Sequence, residues 1–507
     1  MPLIKKHFSL APQNDNPVVI SGADVISGGF SHKDGQPTIK FSVPSQPALL
    51  ETDTLHLVGQ FLVKQSNDTL FNAAQTNLNT SNGAASPLGV GVNLSNFGGV
   101  KNVIDKVVIQ SKKSLTELSS TINYGQYEAL TECYSNNDAD YLQSPLNRSL
   151  SSGNSAENVN RRVNRAADAG AGGTFTYVDN NDRTVGQYFS IKISNDLLKS
   201  VPLHLGNDYL GGVLITLHLA PDSAVFCNRN ASFSTAGQAN TDCSGVNYVL
   251  KNLRLEGRYA VPTPQDLAQY PSSVMLNSRL NLINDINSSV NANSYTPQLQ
   301  FVKSFVNVFM DANQTNNFNT NQNNFREPPG LSAVLQAKNG LRFPYDFNVP
   351  IKPNYATDVE EPAAEVKSTA EAAVKVAFMG DIENRKQFER ALLGGREPYH
   401  SSATLVAANK AMVEDYAPDI AGAANSGHRN NLRPNCVGVG ADFTFGMGGT
   451  QNFVNQDYNL TLTSGVNSGN AELPASRSGA NTTNPLLQQT FVRHFAQFDL
   501  KGLNKVM

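Results

Sequence analysis

The sequence predicts a mainly β chain built as two consecutive antiparallel sandwiches, and three observations carry the prediction. Residues 248–259, YVLKNLRLEGRY, alternate apolar and polar side chains at Leu250, Leu253, Leu255 and, after the Gly257 step, Tyr259, as a half-buried strand does. A proline-marked joint, VPTPQDLAQYP, then interrupts the pattern. Strand signals resume at Gln298 with LQFVKSFVNVFMDA, so one β-unit closes and a second of similar size opens.

Composition sets the outer bounds. A chain of 507 residues has room for two to four domains and at least two sizeable cores. Only 16% of residues are charged, against about 25% in an average protein. The net charge of -3 argues against a surface built as a whole to embrace nucleic acid or an anionic membrane. Asn, Gln, Ser, Thr and 38 Gly take the place of charge, and such residues pack against neighbours without desolvating full charges. Cys133, Cys227, Cys243 and Cys436 are too scattered for a disulfide framework. Cys227 and Cys243 enclose a polar loop and could pair in an oxidising setting, with reduced thiols the plainer state. The N-terminus, MPLIKKHFSLAPQNDN, has no continuous apolar run of the signal-peptide kind. No stretch reaches the ~18 apolar residues of a membrane span. A soluble protein made in the cytosol is expected.

In order along the chain, residues 1–34 read as an extended arm and 35–265 as the first sandwich. Residues 37–47 suggest an early strand, and TDTLHLVGQFLVK (52–64) is a clean one. Its second face, His56, Val58, Gln60 and Leu62, is apolar enough that a second layer or a neighbouring subunit should cover it. Residues 66–100 and 144–173 are long polar loops, the latter carrying Arg161, Arg162 and Arg165, read as charge on a solvated loop. Strands follow at 103–110, 174–178, 186–193 and 212–219, with a short helix within 117–131 around INYGQYEAL. Roughly eight strands joined by very unequal loops suit a jelly roll. Propensity alone equally allows an irregular barrel or an immunoglobulin-like sandwich.

Residues 266–297 are expected to be a connector, with only a brief helix over 273–284, and 298–507 the second sandwich. There LSAVLQAKNGLRFPYDFNV places an Asn-Gly turn between two strand-capable arms, the strongest hairpin signal in the chain. The Ala-, Glu- and Lys-rich block 360–420 reads as a helical insertion, its second helix over 382–393 stopping at Gly394-Gly395. Strands return at 438–446, 457–464 and 490–500.

Chemistry-bearing patterns are sparse. His7, His32, His56, His204, His218, His400, His428 and His494 stand in no metal-binding spacing, and His56 and His218 lie inside strands. GVGADFTFGMGG (438–449) has no Lys-Ser/Thr after its glycines and precedes no helix, so phosphate-loop and dinucleotide readings fail. Asp105, Asp179, Asp182 and Asp346 could furnish a carboxylate pair, but isolated acids are usually solvated. The lack of tryptophan weighs against a carbohydrate enzyme. No nucleophile elbow is present. The expectation is therefore no enzyme, with no catalytic, cofactor-binding or metal residues.

Several segments resemble the double jelly-roll major capsid proteins of double-stranded DNA viruses, above all the virophage, polinton-like and adintovirus-like group. They are residues 99–127 with the wording Ile122-Asn123-Tyr124-Gly125-Gln126, the strand 248–259, and 303–309 leading through Phe325-Arg326-Glu327-Pro328-Pro329 to Asn339-Gly340-Leu341-Arg342-Phe343-Pro344. The Asn-Gly turn followed by a basic residue and an aromatic-Pro pair is the most specific part. The anchors span 99–344, and the strand-rich tail extends the likeness to about 500; the 360–420 block is longer than the family pattern. The resemblance implies a homotrimer forming pseudo-hexagonal capsomers that tile an icosahedral virion. It implies penton and minor capsid proteins as partners, no sequence-specific nucleic-acid binding, and assembly in a host cytoplasm, nucleus or viral factory. The alternatives weighed with it are a viral spike, receptor-binding or minor penton protein, and, more remotely, a β-sandwich carbohydrate-active hydrolase.

Overall fold

The structure is a computed structural model that describes residues 4–13, 16–20, 24–33, 37–64, 92–94, 99–135, 166–169, 174–177, 187–195, 197, 202–228, 247–270, 273–286, 292–311, 331–343, 349–350, 382–393, 438–444, 449–464, 486–499 and 504–506. The chain begins with β1 (Ile4–Leu10), β2 (Asn16–Ile20), β3 (Asp24–Phe30), β4 (Thr38–Pro44) and β5 (Leu49–Lys64). A short β6 (Val92–Leu94) and a 3-10 turn (Gly99–Val103) lead into β7 (Ile104–Ser111), β8 (Glu117–Ile122) and helix α1 (Tyr124–Ser135). Then come β9 (Ala166–Ala169), β10 (Thr174–Tyr177), β11 (Gln187–Lys192), β12 (Leu203–His204) and β13 (Gly212–Leu219). Helix α2 (Asp222–Val225), β14 (Phe226–Asn228), β15 (Asn247–Val261) and helix α3 (Pro264–Ala268) follow.

The second half opens with β16 (Ser273–Ile286), β17 (Ala292–Tyr295), β18 (Phe301–Asp311), β19 (Leu331–Lys338), β20 (Leu341–Phe343) and β21 (Val349–Pro350). It closes with helix α4 (Ile382–Leu393), β22 (Val439–Asp442), β23 (Tyr458–Ser464), β24 (Leu486–Asp499) and β25 (Asn504–Val506).

The first half forms one sheet ordered β11-β5-β15-β3-β2, with β1 on β15, and a second ordered β4-β13-β7-β8. The chain changes sheet at nearly every step: β3 in the first, β4 in the second, β5 back, β7 and β8 across, then β11, β13 and β15 in turn. That alternation, with antiparallel pairing throughout, is jelly-roll wrapping. The second half gives sheets β16-β24-β18-β22 and β17-β23-β19-β20. Writing β16, β17, β18, β19, β20, β22, β23 and β24 in place of β3, β4, β5, β7, β8, β11, β13 and β15 converts the first order into the second. The two halves are the same jelly roll. Helices α1 and α4, 12 residues each, occupy the same step of the two rolls, between the eighth-strand edge and the return strand.

Local sequence explains the strands. The leucine spacing in β15 breaks from two to three between Leu250 and Leu253 because a bulge at Asn252 (φ 54°) inserts one residue, which keeps Leu250, Leu253 and Leu255 all in the core. On β5, Leu55, Leu57 and Phe61 are fully buried against them. The expected hairpin is present at β19–β20, with Asn339 (φ 46°) and Gly340 (φ 83°) both left-handed as a type I′ turn requires. In β18 a bulge after Val302 turns Val302 and Phe305 into the second core, while Val306 and Val308 face the other way.

Two expectations need correction. The arm 1–34 contains β1–β3, and β3 is the first strand of the first roll, since β1 zips along β15 from Ile4–Val261 to Leu10–Leu255. The connector 266–297 contains β16 and β17; 273–284, read as a brief helix, pairs with β24 along its whole length. Tertiary pairing there overrides a sequence with weak alternation. The short helix expected around INYGQYEAL is α1, which starts at Tyr124 after Asn123 turns left-handed (φ 52°); residues 117–122 before it form the edge strand β8. Of the insertion 360–420, the described part is α4, whose counterpart α1 stands at the same place in the first roll; the helices read at 360–378 and 402–415 fall outside the described residues.

Candidate functional site

Among the described residues, the candidate surfaces lie where the two rolls meet and at their ends. The seam is built from Tyr127 and Leu130 of α1, Val306 and Val308 of β18, Phe491 of β24, and Phe388, Ala391, Leu392 and Leu393 of α4, all buried together. Tyr127 meets Phe491 edge to face at 4.9 Å. The last-turn carbonyls of α4, which a helix leaves without intrahelical donors, are taken by side chains: Tyr127 Oη donates to Leu392 (3.1 Å), and Ser304 Oγ (3.0 Å) and Arg493 Nη1 (3.2 Å) donate to Ala391. Gln489 Nε2 donates to Gln126 Oε1 at 2.7 Å across the seam. Beneath α1 the ammonium of Lys101 lies 3.4 Å from Glu128 Oε2, a buried ion pair tying the helix to the 3-10 turn. Strand β8, the edge of the first roll's second sheet, lies against β16, the edge strand that opens the second roll.

Each roll has two unlike ends. In the first, the turns 45–48, 112–116 and 205–211 are short and bonded to one another: Leu205 N–H donates to Ala48, Lys112 N–H to Gly212 and Lys113 N–H to Leu210. The second roll repeats this where Asn339 N–H donates to Asp457, Asp457 N–H to Asn339 Oδ1 and Phe453 N–H to Leu299. The connections that follow Lys64, Asp311 and Ser464 start from the opposite end, where Lys64 pairs with Asn247, Asp311 with Leu486 and Leu331 with Ser464. The segment joining the rolls crosses at the short-turn end, where Tyr270 donates to the Pro202 carbonyl (2.9 Å) and rests on His204. Strand β16 starts beside it, so both short-turn ends lie on one side of the molecule.

At the long-connection end of the first roll sit Asp105, His218, His32 and Asp222. Burial raises Asp105, and neighbouring His218 and Lys106 partly counter it; burial and Lys106 lower His218. Asp222 is pushed up to about 6 by burial, although it accepts from Tyr248 N–H at 3.1 Å. Among the described residues no three of His, Cys, Asp and Glu gather as a metal set. Asp179, Asp182, Asp346, His400, His428, Cys243, Cys436 and the arginines at 161, 162 and 165 lie outside the described residues. Because the folded pKa of Asp222 lies above its unfolded value, ionising it costs the folded state, so stability falls as pH rises from about 4 to about 6. Asp222→Asn, which keeps an acceptor for Tyr248, should therefore be more stable than the parent by about 2 kcal/mol near pH ~8 and equal to it near pH ~4. Thermal melts at the two pH values check this, and an equal gain at both would refute it.

The seam was the part least visible beforehand. The sequence over 301–309 marks a strand, but nothing local names α1 and α4 as the cover of its Val306 and Val308 face.

Two like jelly rolls in one chain, joined through a packed seam, make this a double jelly-roll protein. No family model matches the sequence, and no curated protein does. Among solved structures the chain is similar to that of the Sputnik virophage (TM-score 0.48, 7% identity, 99% of this chain and 88% of that one). It is also similar to the Faustovirus major capsid protein (0.46, 10%, 98% and 90%) and to the PBCV-1 virus capsid (0.46, 11%, 98% and 95%). The fold assignment rests on the strand order of this chain.

Proposed function

We propose that this chain is a major capsid protein, a structural subunit that forms homotrimeric, pseudo-hexagonal capsomers tiling an icosahedral virion. The observation that carries the reading is the duplication itself. Within one chain, edge strand β8 of the first roll meets β16 of the second. The matching edges, β20 of the second roll and the β2–β3 end of the first, are left for other copies. In this reading the same roll-to-roll step repeats from copy to copy to make a ring of six rolls, hence three chains, as a head-to-tail contact does when its rotation closes. We divide the chain into rolls at residues 262–272, around α3. Neighbouring capsomers, penton proteins and minor capsid proteins are the partners this role requires, and the virion is its location; the chain does structural work in place of catalysis.

The test is the mass of the purified full chain together with negative-stain images. About three chains per particle and triangular or six-lobed blocks are expected. A monomer stable at micromolar concentration, or elongated fibres of the kind a spike forms, would overturn the proposal.

A further inference from the structure

Four large apolar side chains are exposed among the described residues: Ile4 (64%), Leu115 (62%), Leu341 (75%) and, less so, Ile122. Three of them sit at the short-turn end. Leu115 and Leu341 occupy equivalent places in the two rolls, the tips of the β7–β8 and β19–β20 hairpins, although one turn has five residues and the other two. Ile4 reaches the same end because it pairs with Val261, the last residue of β15. Leu115 is held outward in a left-handed conformation (φ 57°), an unfavourable setting for leucine that Asn or Gly would occupy more easily.

Charge at these tips has one dominant sign. Lys112 and Lys113 flank Leu115, and Lys338 and Arg342 flank Leu341, against Glu117 as the single acid within residues 111–117 and 337–343. Lys338 stays close to its own tip, over the Phe453 ring at 4.9 Å. Lys6 stands two residues from Ile4, while Lys5 is engaged by Glu51 at 2.7 Å. Around them the same end carries Asp208, Asp266 and Asp457; Asp457 is engaged by Thr296, and Asp266 caps α3 through Thr263. The chain as a whole has a net charge of -3, so cationic tips run against the general composition.

We propose that the short-turn end is a lipid-facing surface, docking on an anionic bilayer with Leu115 and Leu341 entering the acyl boundary and the flanking lysines and arginine meeting headgroup phosphates. Aliphatic side chains ringed by cations suit that interface, where apolar burial and charge attraction add. A nucleic-acid backbone would satisfy the cations and leave the leucines nothing to bury against. The two equivalent tips face the same way, so a single chain makes two contacts with one plane and an assembly multiplies them.

The experiment is flotation of the purified full chain with vesicles of phosphatidylcholine, with and without about 30% phosphatidylserine. The parent is expected to float with the anionic vesicles and to be released as salt rises from about 0.1 M to about 0.5 M. The double variant Leu115→Asn, Leu341→Asn changes exposed tips only, so it should keep the parent's melting profile and oligomeric mass while its bound fraction falls about tenfold. Lys112→Glu with Lys113→Glu should reduce binding to anionic vesicles alone. Absence of flotation, equal flotation of the leucine variant, or binding of a labelled DNA duplex that the leucine variant retains in full would each overturn the proposal. Because mass and vesicle binding are read separately, a failure here is distinguishable from a failure of the capsid reading.

Discussion

Replacing Phe305 with alanine is expected to destabilise the protein by about 3–5 kcal/mol, seen as a lower urea midpoint. Phe305 is fully buried at the centre of the second roll. Its ring stacks on Tyr458 at 4.0 Å and meets Phe453 at 5.1 Å, Phe443 at 5.9 Å and Tyr295 at 6.3 Å. Truncation removes both the transferred area and the stacking partner of Tyr458. That tyrosine also holds a buried polar chain: its hydroxyl donates to Gln336 Oε1 (2.7 Å) and accepts from Asn307 Nδ2 (2.8 Å). Asn307 in turn accepts from Gln488 and Thr490. Burial drives the Tyr458 pKa up, so its hydroxyl stays a donor at all working pH values. A cavity beside a fully paired polar chain is costly because its members lose packing and geometry together. Lys338→Ala, at the half-buried rim of the same cluster, removes one cation–π contact with Phe453 and a 3.4 Å hydrogen bond to Gln451 Oε1, and should cost about 1 kcal/mol. Equal losses for the two variants would contradict the placement of the core.

How much of this was legible in the sequence follows from which forces are local. Alternation marks β5, β15, β18 and β24, because a half-buried strand writes its two faces into a period of two, while β13 shows in its density of β-branched and leucine residues. The Asn339-Gly340 turn and the end of α4 at Leu393 were equally plain, since left-handed residues and helix stops use few residue types. Strands β3 and β16 were missed for one reason. Each opens its roll beside a long partner, β15 or β24, that supplies the pairing and makes strong local alternation unnecessary. The duplication could be suspected from size, but the matching strand order is a property of pairing between residues hundreds of positions apart. The candidate surfaces divide in the same way. Leu341 could be read as following an Asn-Gly turn, whereas Leu115 becomes its counterpart only when the two hairpins are superimposed through the topology.

The seam yields the second large effect, and one that separates backbone from side-chain contact. Strand β22 runs directly under α4, and the glycines of Val439–Asp442 and its approach are what let the helix come so close. A Cβ on Gly440 would lie 2.6 Å from Phe388 Cα and 2.9 Å from Ala391 Cβ, against the helix itself. A Cβ on Gly438 would instead fall on the Phe388 ring. Gly440→Ala is therefore expected to cost about 2–3 kcal/mol, because α4 must shift as a body and its capping bonds from Tyr127, Ser304 and Arg493 shift with it. Gly438→Ala meets only the tip of a side chain. Adding Phe388→Leu should recover most of the stability lost in Gly438→Ala and none of that lost in Gly440→Ala, a non-additivity that a double-mutant cycle measures directly. On the proposed capsid function, Gly440→Ala should also reduce the fraction of chains in trimers at a given concentration, since α4 and α1 together close the contact between the rolls. Rescue of both glycine variants by Phe388→Leu, or of neither, would show that the helix does not rest on β22 in the way these contacts require.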